Sequence, residues 1–125
     1  MDKILIVDDD LESRNLLCEV LEAQGYAPHA VADGPAAREV LRRDGEYRIV
    51  IADLQMPQES GLELLRKLRE QDCTREIILM SSFMSRAEKQ AAKALGAHAM
   101  LEKPFQINEL LQKVAELVVP HSAGN

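Results

Sequence analysis

Tryptophan is absent, and two tyrosines and two phenylalanines are the only aromatics, 3% of the 125 residues. Aliphatic side chains must therefore fill the core, and a hydrophobic content of 46% supplies enough of them for one domain. Cysteine is as scarce. Cys18 and Cys73 fall in a helix and at a helix end, and neither a CxxC nor a Cys/His metal spacing occurs. That disfavours a disulfide scaffold or a thiolate metal centre and suits incidental thiols in a reducing compartment. No apolar stretch approaches the roughly 20 residues that a membrane span needs. The chain enters a strand at once, without a signal-peptide pattern, so a cytoplasmic protein is expected. Basic runs are missing too. A net charge of −6 and a pI near 5.1 disfavour direct contact with nucleic acid or an anionic membrane.

What is present is an alternation of short apolar runs with amphipathic stretches. Residues 3–7, 27–31, 48–52, 76–80 and 98–101 read as strands, the second the weakest. Between and after them, helices are predicted over 11–24, 35–43, 60–71, 85–95 and 106–118. Leu17, Val20 and Leu21, joined by Leu16, form the inward stripe of the first helix, and Gly25 closes it. Asp33 is placed to N-cap the second, with Pro35 in its first turn. Leu62, Leu64, Leu65 and Leu68 give the third its apolar face, and Gly96 stops the alanine-rich fourth. Leu110, Leu111, Val114, Leu117 and Val118 hold down the last. Five βα units of these lengths predict one doubly wound domain: a parallel five-stranded sheet with helices on both faces. Residues 1–119 make that domain, and 120–125 read as a polar tail or the start of a linker.

Polar residues stand just past four of the strands. Asp8-Asp9-Asp10 follows Ile4–Val7, Asp53 follows the most uniformly apolar run, Ser81-Ser82 follows Ile77–Met80, and Lys103-Pro104 follows residues 99–102. In an open parallel sheet, functional groups collect beyond the carboxyl ends of the strands. Asp10 suits an N-cap, which leaves Asp8 and Asp9 as adjacent like charges that a cation would neutralise. Mg²⁺ takes oxygen ligands, keeps several waters and so needs few carboxylates. A carboxylate beside it is able to attack phosphorus in line, with a lysine offsetting charge on the transferring oxygens. Singly, Ser81 and Lys103 carry little weight; at four strand ends together, they point to phosphoryl chemistry.

In that order, Ile-Leu-Ile-Val-Asp-Asp-Asp (4–10), Asp-Leu-Gln-Met-Pro (53–57), Gly61, Met-Ser-Ser (80–82), Gly-Ala (96–97) and Lys-Pro-Phe (103–105) resemble the receiver domain of two-component response regulators. The resemblance runs from residue 3 to about 119 and implies a flavodoxin-like (βα)5 sheet of strand order 2-1-3-4-5. It implies that Asp53 is the phosphoacceptor for a histidine kinase or phosphotransfer protein. Asp9, Asp53 and the backbone carbonyl of Gln55 would hold Mg²⁺ directly, with Asp8 acting largely through water. Ser81 matches the switch hydroxyl, Lys103 the lysine that pairs with the phosphoryl group, and the Lys103–Pro104 bond the family's cis peptide. Leu11, Arg14 and Asn15 flank the active face, where they either contact the kinase, as the resemblance implies, or form a solvated helix face. Residues 85–118 span the surface on which such domains dimerise or engage effectors. Pro57 punctuates the loop after the acceptor.

Three positions depart from the family pattern. Met100 stands where an aromatic usually swings inward; it reads as core or, since a thioether is able to rearrange, as a switch without the aromatic. Ser82 replaces a small alanine. Phe83, which with Gln55 occupies a position that tunes phosphoryl lifetime, is expected to shield the acyl phosphate and slow its hydrolysis. Phe83 and Met84 also form an apolar pair in a loop, either tucked on the helix over 85–95 or offered to a partner. His29, His98 and His121 have no spacing suited to metal or nucleophilic work. Other functions fit less well. An Asp-nucleophile phosphohydrolase typically needs a second acid where Gln55 stands, and GxGxxG and GxxxxGK[ST] loops are absent. A receiver silent to phosphate would not need the intact acidic pair, Asp53, Ser81 and Lys103.

Overall fold

A computed structural model describes residues 2–71 and 74–118. Five parallel strands, β1 (Lys3–Val7), β2 (Ala27–Val31), β3 (Tyr47–Asp53), β4 (Glu76–Ser81) and β5 (Ala99–Glu102), form one sheet in the order β2-β1-β3-β4-β5. Helices α1 (Leu11–Ala23), α2 (Gly34–Arg43), α3 (Gly61–Glu70), α4 (Arg86–Ala94) and α5 (Ile107–Leu117) follow the strands in turn. The expected topology is the observed one.

The pleat sorts each strand's side chains between two layers. Leu5, Val7, Val50, Ala52, Ile77 and Leu79 pack with Leu41, Leu64, Leu65 and Leu68 of α2 and α3. Their neighbours Ile4, Ile6, Ile49, Ile51, Ile78 and Met80 pack with Leu17, Leu21, Leu110 and Val114 of α1 and α5. Strands buried on both sides need continuous apolar runs, which is how β1, β3 and β4 read. Edge strand β2 is only half-buried, so its pattern is weak. Among the described residues, no helix is long and apolar enough to cross a membrane.

Element ends differ from the sequence reading by about one residue, and caps explain much of the difference. Ser60 and Ser85 each accept from the N–H three residues on, while Glu63 and Glu88 reach back to the cap N–H. These reciprocal bonds start α3 and α4 one residue later than expected. Asp10 and Asp33 cap α1 and α2 as expected, accepting from the N–H groups of Ser13 and Ala36. Gly25 and Gly96 adopt φ of +90° and +83°, the left-handed conformation in which glycine ends a helix at least cost.

One core assignment needs correction. Leu16 is 49% exposed; it lies on the rim of a groove beside α1, outside the inward stripe of Leu17 and Leu21. Phe83 and Met84 divide: Met84 is buried in the core, and Phe83 is 69% exposed. Cys73, His121 and the 120–125 tail lie outside the described residues.

Candidate phosphoryl-transfer site

Strand order reverses at β1: the sheet grows to β2 on one side and to β3 on the other, opening a crevice at its carboxyl edge. Asp53 is the last residue of β3 and is nearly buried. Its Oδ1 accepts from the Gln55 N–H at 2.9 Å, and its Oδ2 accepts from Lys103 Nζ at 2.7 Å. Lys103 reaches Asp53 from the turn after β5, held by its own N–H to the Ser81 carbonyl at 2.7 Å and followed by a cis bond to Pro104.

Asp8 is fully buried. Its Oδ1 accepts from the Asp10 N–H at 2.9 Å, and its backbone carbonyl accepts from Arg14 Nη1 at 2.7 Å. The other oxygen, Oδ2, is buried without a hydrogen-bond partner, with Lys103 Nζ 3.7 Å away. Burial pushes the Asp8 carboxyl above the ordinary carboxylate value. The Asp10 N–H bond and the Lys103 charge oppose that shift, while Asp53 and Asp9 reinforce it. Burial also works against the Lys103 ammonium. There, the bond to Asp53 and the charges of Asp53, Asp8 and Asp10 prevail and raise its pKa above the usual lysine value.

One carboxylate oxygen from each of Asp8, Asp9 and Asp53 lies within 4.8 Å of the others. Three carboxylates, one with a buried oxygen lacking a hydrogen-bond partner, form a donor set that fits a hard divalent cation. With the Lys103 ammonium on Asp53, the arrangement is able to bind a cation and balance the charge of a phosphoryl group.

Sequence comparison agrees with the fold. A model of the response regulator receiver domain family matches residues 4–115. The chain belongs to that family. Transcriptional regulatory protein CpxR of Escherichia coli is 33% identical over 118 residues, which are 94% of this chain and 50% of CpxR. This receiver chain thus spans about half the length of the curated relatives it matches. Among solved structures, Vibrio cholerae chemotaxis protein CheY4 superposes with a TM-score of 0.86 at 30% identity, covering 94% of this chain and 99% of CheY4. Response regulator TrrA of Thermotoga maritima, in complex with Mg²⁺–BeF, superposes with a TM-score of 0.84 at 32% identity, covering 94% of this chain and all of TrrA. Phosphorylation-activated switching is the general function of receiver domains.

Not every residue singled out in the sequence meets at the crevice. Ser81 is fully buried at the end of β4, and its hydroxyl bonds to Gln55 and Phe83. Met100 is half-buried against the α2–α4 layer. His29 lies tilted against Tyr47, ring centres 6.3 Å apart, and His98 pairs with Glu116 at 2.8 Å. Cys18 is a half-buried free thiol, and burial pushes its pKa up. Arg14 is tied to the Asp8 carbonyl, while Leu11 and Asn15 face solvent. A groove of about 450 Å³ runs from Asp8 and Lys103 between α1 and the β5–α5 turn, lined by Leu16, Leu17, Met80, Pro104, Phe105 and Ile107.

Sequence reasoning missed Glu59, buried in the β3–α3 loop. Its Oε1 meets Arg38 Nη2 and Lys67 Nζ, each at 2.9 Å, clamping the loop to α2 and α3. Both partners lie on other elements, so no local spacing announces the clamp. Gly61 secures the same loop from the other side. A Cβ there would stand 2.6 Å from the Asp53 carbonyl oxygen and 3.1 Å from Leu54 Cα, both backbone atoms with little room to move. Gly61→Ala is therefore expected to cost about 1–3 kcal/mol, as overpacking does elsewhere, measured by urea denaturation.

Proposed function

We propose that the chain is a phosphorylation-controlled switch in which Asp53 accepts a phosphoryl group from a histidine kinase or phosphotransfer protein. Convergence of three carboxylates and the Lys103 ammonium at the carboxyl edge of the sheet carries this reading. Asp9, Asp53 and the Gln55 carbonyl would hold Mg²⁺, with Asp8 acting through water; the bound ion supplies charge neutralisation for the phosphoryl oxygens. The Gln55 N–H and Lys103 orient the Asp53 carboxylate for in-line attack. A carboxylate oxygen forms a bond to phosphorus as the bond to the donor nitrogen breaks, giving an acyl phosphate. Lys103 then pairs with a phosphoryl oxygen, and Ser81 turns to hydrogen-bond another.

The domain acts catalytically only on itself, through its own phosphorylation and dephosphorylation; its output is an altered surface across residues 85–118, which serves a homodimer or an effector. The kinase is met at Leu11, Arg14 and Asn15, beside the groove that Leu16 rims. A cytoplasmic setting, with no direct nucleic-acid or membrane contact, goes with these partners. Residues 1–119 form the receiver, followed by a tail or linker at 120–125. Phe83 slows acyl-phosphate hydrolysis once the β4–α4 loop brings its exposed ring inward.

Intact mass after incubation with Mg²⁺ and acetyl phosphate, or with a phosphorylated donor protein, tests the acceptor. The wild type should gain one phosphoryl group, and Asp53→Asn or added EDTA should prevent the gain. An Asp53→Asn protein that gains mass as the wild type does would refute the assignment.

A further inference from the structure

Gln55 has a role that its backbone does not explain. The Ser81 hydroxyl has one hydrogen to donate and two lone pairs, and all three are engaged. Its hydrogen has the Phe83 carbonyl and Gln55 Oε1, at 3.0 Å, as acceptors, and its oxygen accepts from the Phe83 N–H at 3.0 Å and from Gln55 Nε2 at 2.8 Å. Gln55 Nε2 also donates to the Phe83 carbonyl at 2.7 Å, and Gln55 Oε1 accepts from the Ser82 N–H at 3.3 Å. Only the amino end of the amide is able to face a carbonyl and donate, so the orientation of the side chain is set. Every donor and acceptor in this closed network has a partner, although the Gln55 side chain lies on an exposed residue.

Ser81 is therefore committed to its own loop, with no hydroxyl hydrogen left for a phosphoryl oxygen on Asp53. From the same residue, the Gln55 N–H holds Asp53 Oδ1. That backbone bond is strongest while Asp53 is a free carboxylate and weakens when the carboxylate becomes an ester-like acyl phosphate. We infer that the Gln55 side chain is a latch that holds Ser81 and the β4–α4 loop in the unphosphorylated arrangement, released when the charge on Asp53 changes. This rests on the reading of Asp53 as acceptor and Ser81 as switch, and makes Gln55 a positioning residue that sets how readily the switch closes.

Beryllofluoride with Mg²⁺, a mimic of the aspartyl phosphoryl group, probes the latch by titration calorimetry in four proteins: wild type, Gln55→Ala, Ser81→Ala and the double variant. The backbone carbonyl at position 55 is kept in all of them. Losing the latch bonds should tighten beryllofluoride binding by roughly tenfold in Gln55→Ala. The double variant should gain less over Ser81→Ala than Gln55→Ala gains over the wild type, because the bond to the Ser81 hydroxyl is already missing there while those to Ser82 and Phe83 remain. Unchanged or weaker binding by Gln55→Ala, or the same gain in the Ser81→Ala background, would overturn the latch while leaving the acceptor reading intact. A wild type that binds no beryllofluoride would overturn the acceptor reading and the latch with it.

Discussion

Asp8→Asn is expected to be more stable than the wild type in the absence of Mg²⁺, and to gain much less from adding it. A fully buried carboxylate with one oxygen lacking a hydrogen-bond partner destabilises the folded state, and Asn keeps the acceptor for the Asp10 N–H while removing the charge. The gain should be about 1–2 kcal/mol, less than a full desolvation penalty because Lys103, 3.7 Å away, already offsets part of it. Removing a carboxylate that supports the ion from outside its direct ligands should weaken Mg²⁺ binding about 10- to 100-fold.

The pH dependence has a definite sign. The folded-state pKa of Asp8 is raised, so the unfolded chain releases this proton first as pH increases. Between the ordinary carboxylate value and the raised one, the folded protein holds more protons, and stability falls with rising pH. Asp8 thus stabilises the fold least above its raised pKa. Asp8→Asn should lack this component. Urea denaturation across acidic to neutral pH, with EDTA and with Mg²⁺, measures the slope and the metal-linked stabilisation together. A variant less stable than the wild type in EDTA would contradict the electrostatic account of the site.

Lys103→Ala should separate phosphoryl transfer from metal binding. The ammonium lies 2.7 Å from Asp53 Oδ2, where charge on a transferring group would develop. Removing one such preorganised donor typically costs about 10²–10³ in rate. Its loss also strips a positive charge from a pocket of three carboxylates, so Mg²⁺ affinity should rise while phosphorylation slows. The metal-free variant should be less stable, because Asp8 and Asp53 lose their shared cation. Intact-mass time courses with acetyl phosphate give the rate, and titration calorimetry gives the affinity. Equal loss of both would mean that Lys103 holds the pocket together instead of serving the transfer.

The parts of the site legible in the sequence were those attached to strand ends. Asp8, Asp53, Ser81 and Lys103 each follow an apolar run, and parallel pairing delivers such positions to one edge whatever lies between them. The same logic made the topology legible, since β1, β3 and β4 are buried on both faces and read as continuous apolar runs. Features set by long-range packing were not. Leu16 has helical spacing suited to the core, yet it rims a groove. Glu59 looks like a loop residue, but Arg38 and Lys67 make its burial tolerable. The resemblance points to the Gln55 backbone carbonyl and its tuning position, whereas its amide spans to a loop 26 residues away. Spacing rules see neighbours along a helix or strand and cannot see such pairings.

Acyl phosphates are reduced by borohydride, which converts a phosphorylated aspartate to homoserine and leaves free carboxylates intact. Phosphorylating the protein in Mg²⁺, reducing it and mapping the peptides would locate the acceptor directly. Homoserine at position 53 alone, absent from samples treated with EDTA, is the predicted result. Homoserine at another aspartate, or a phosphoryl group retained after reduction on a hydroxyl or histidine, would contradict the assignment of Asp53.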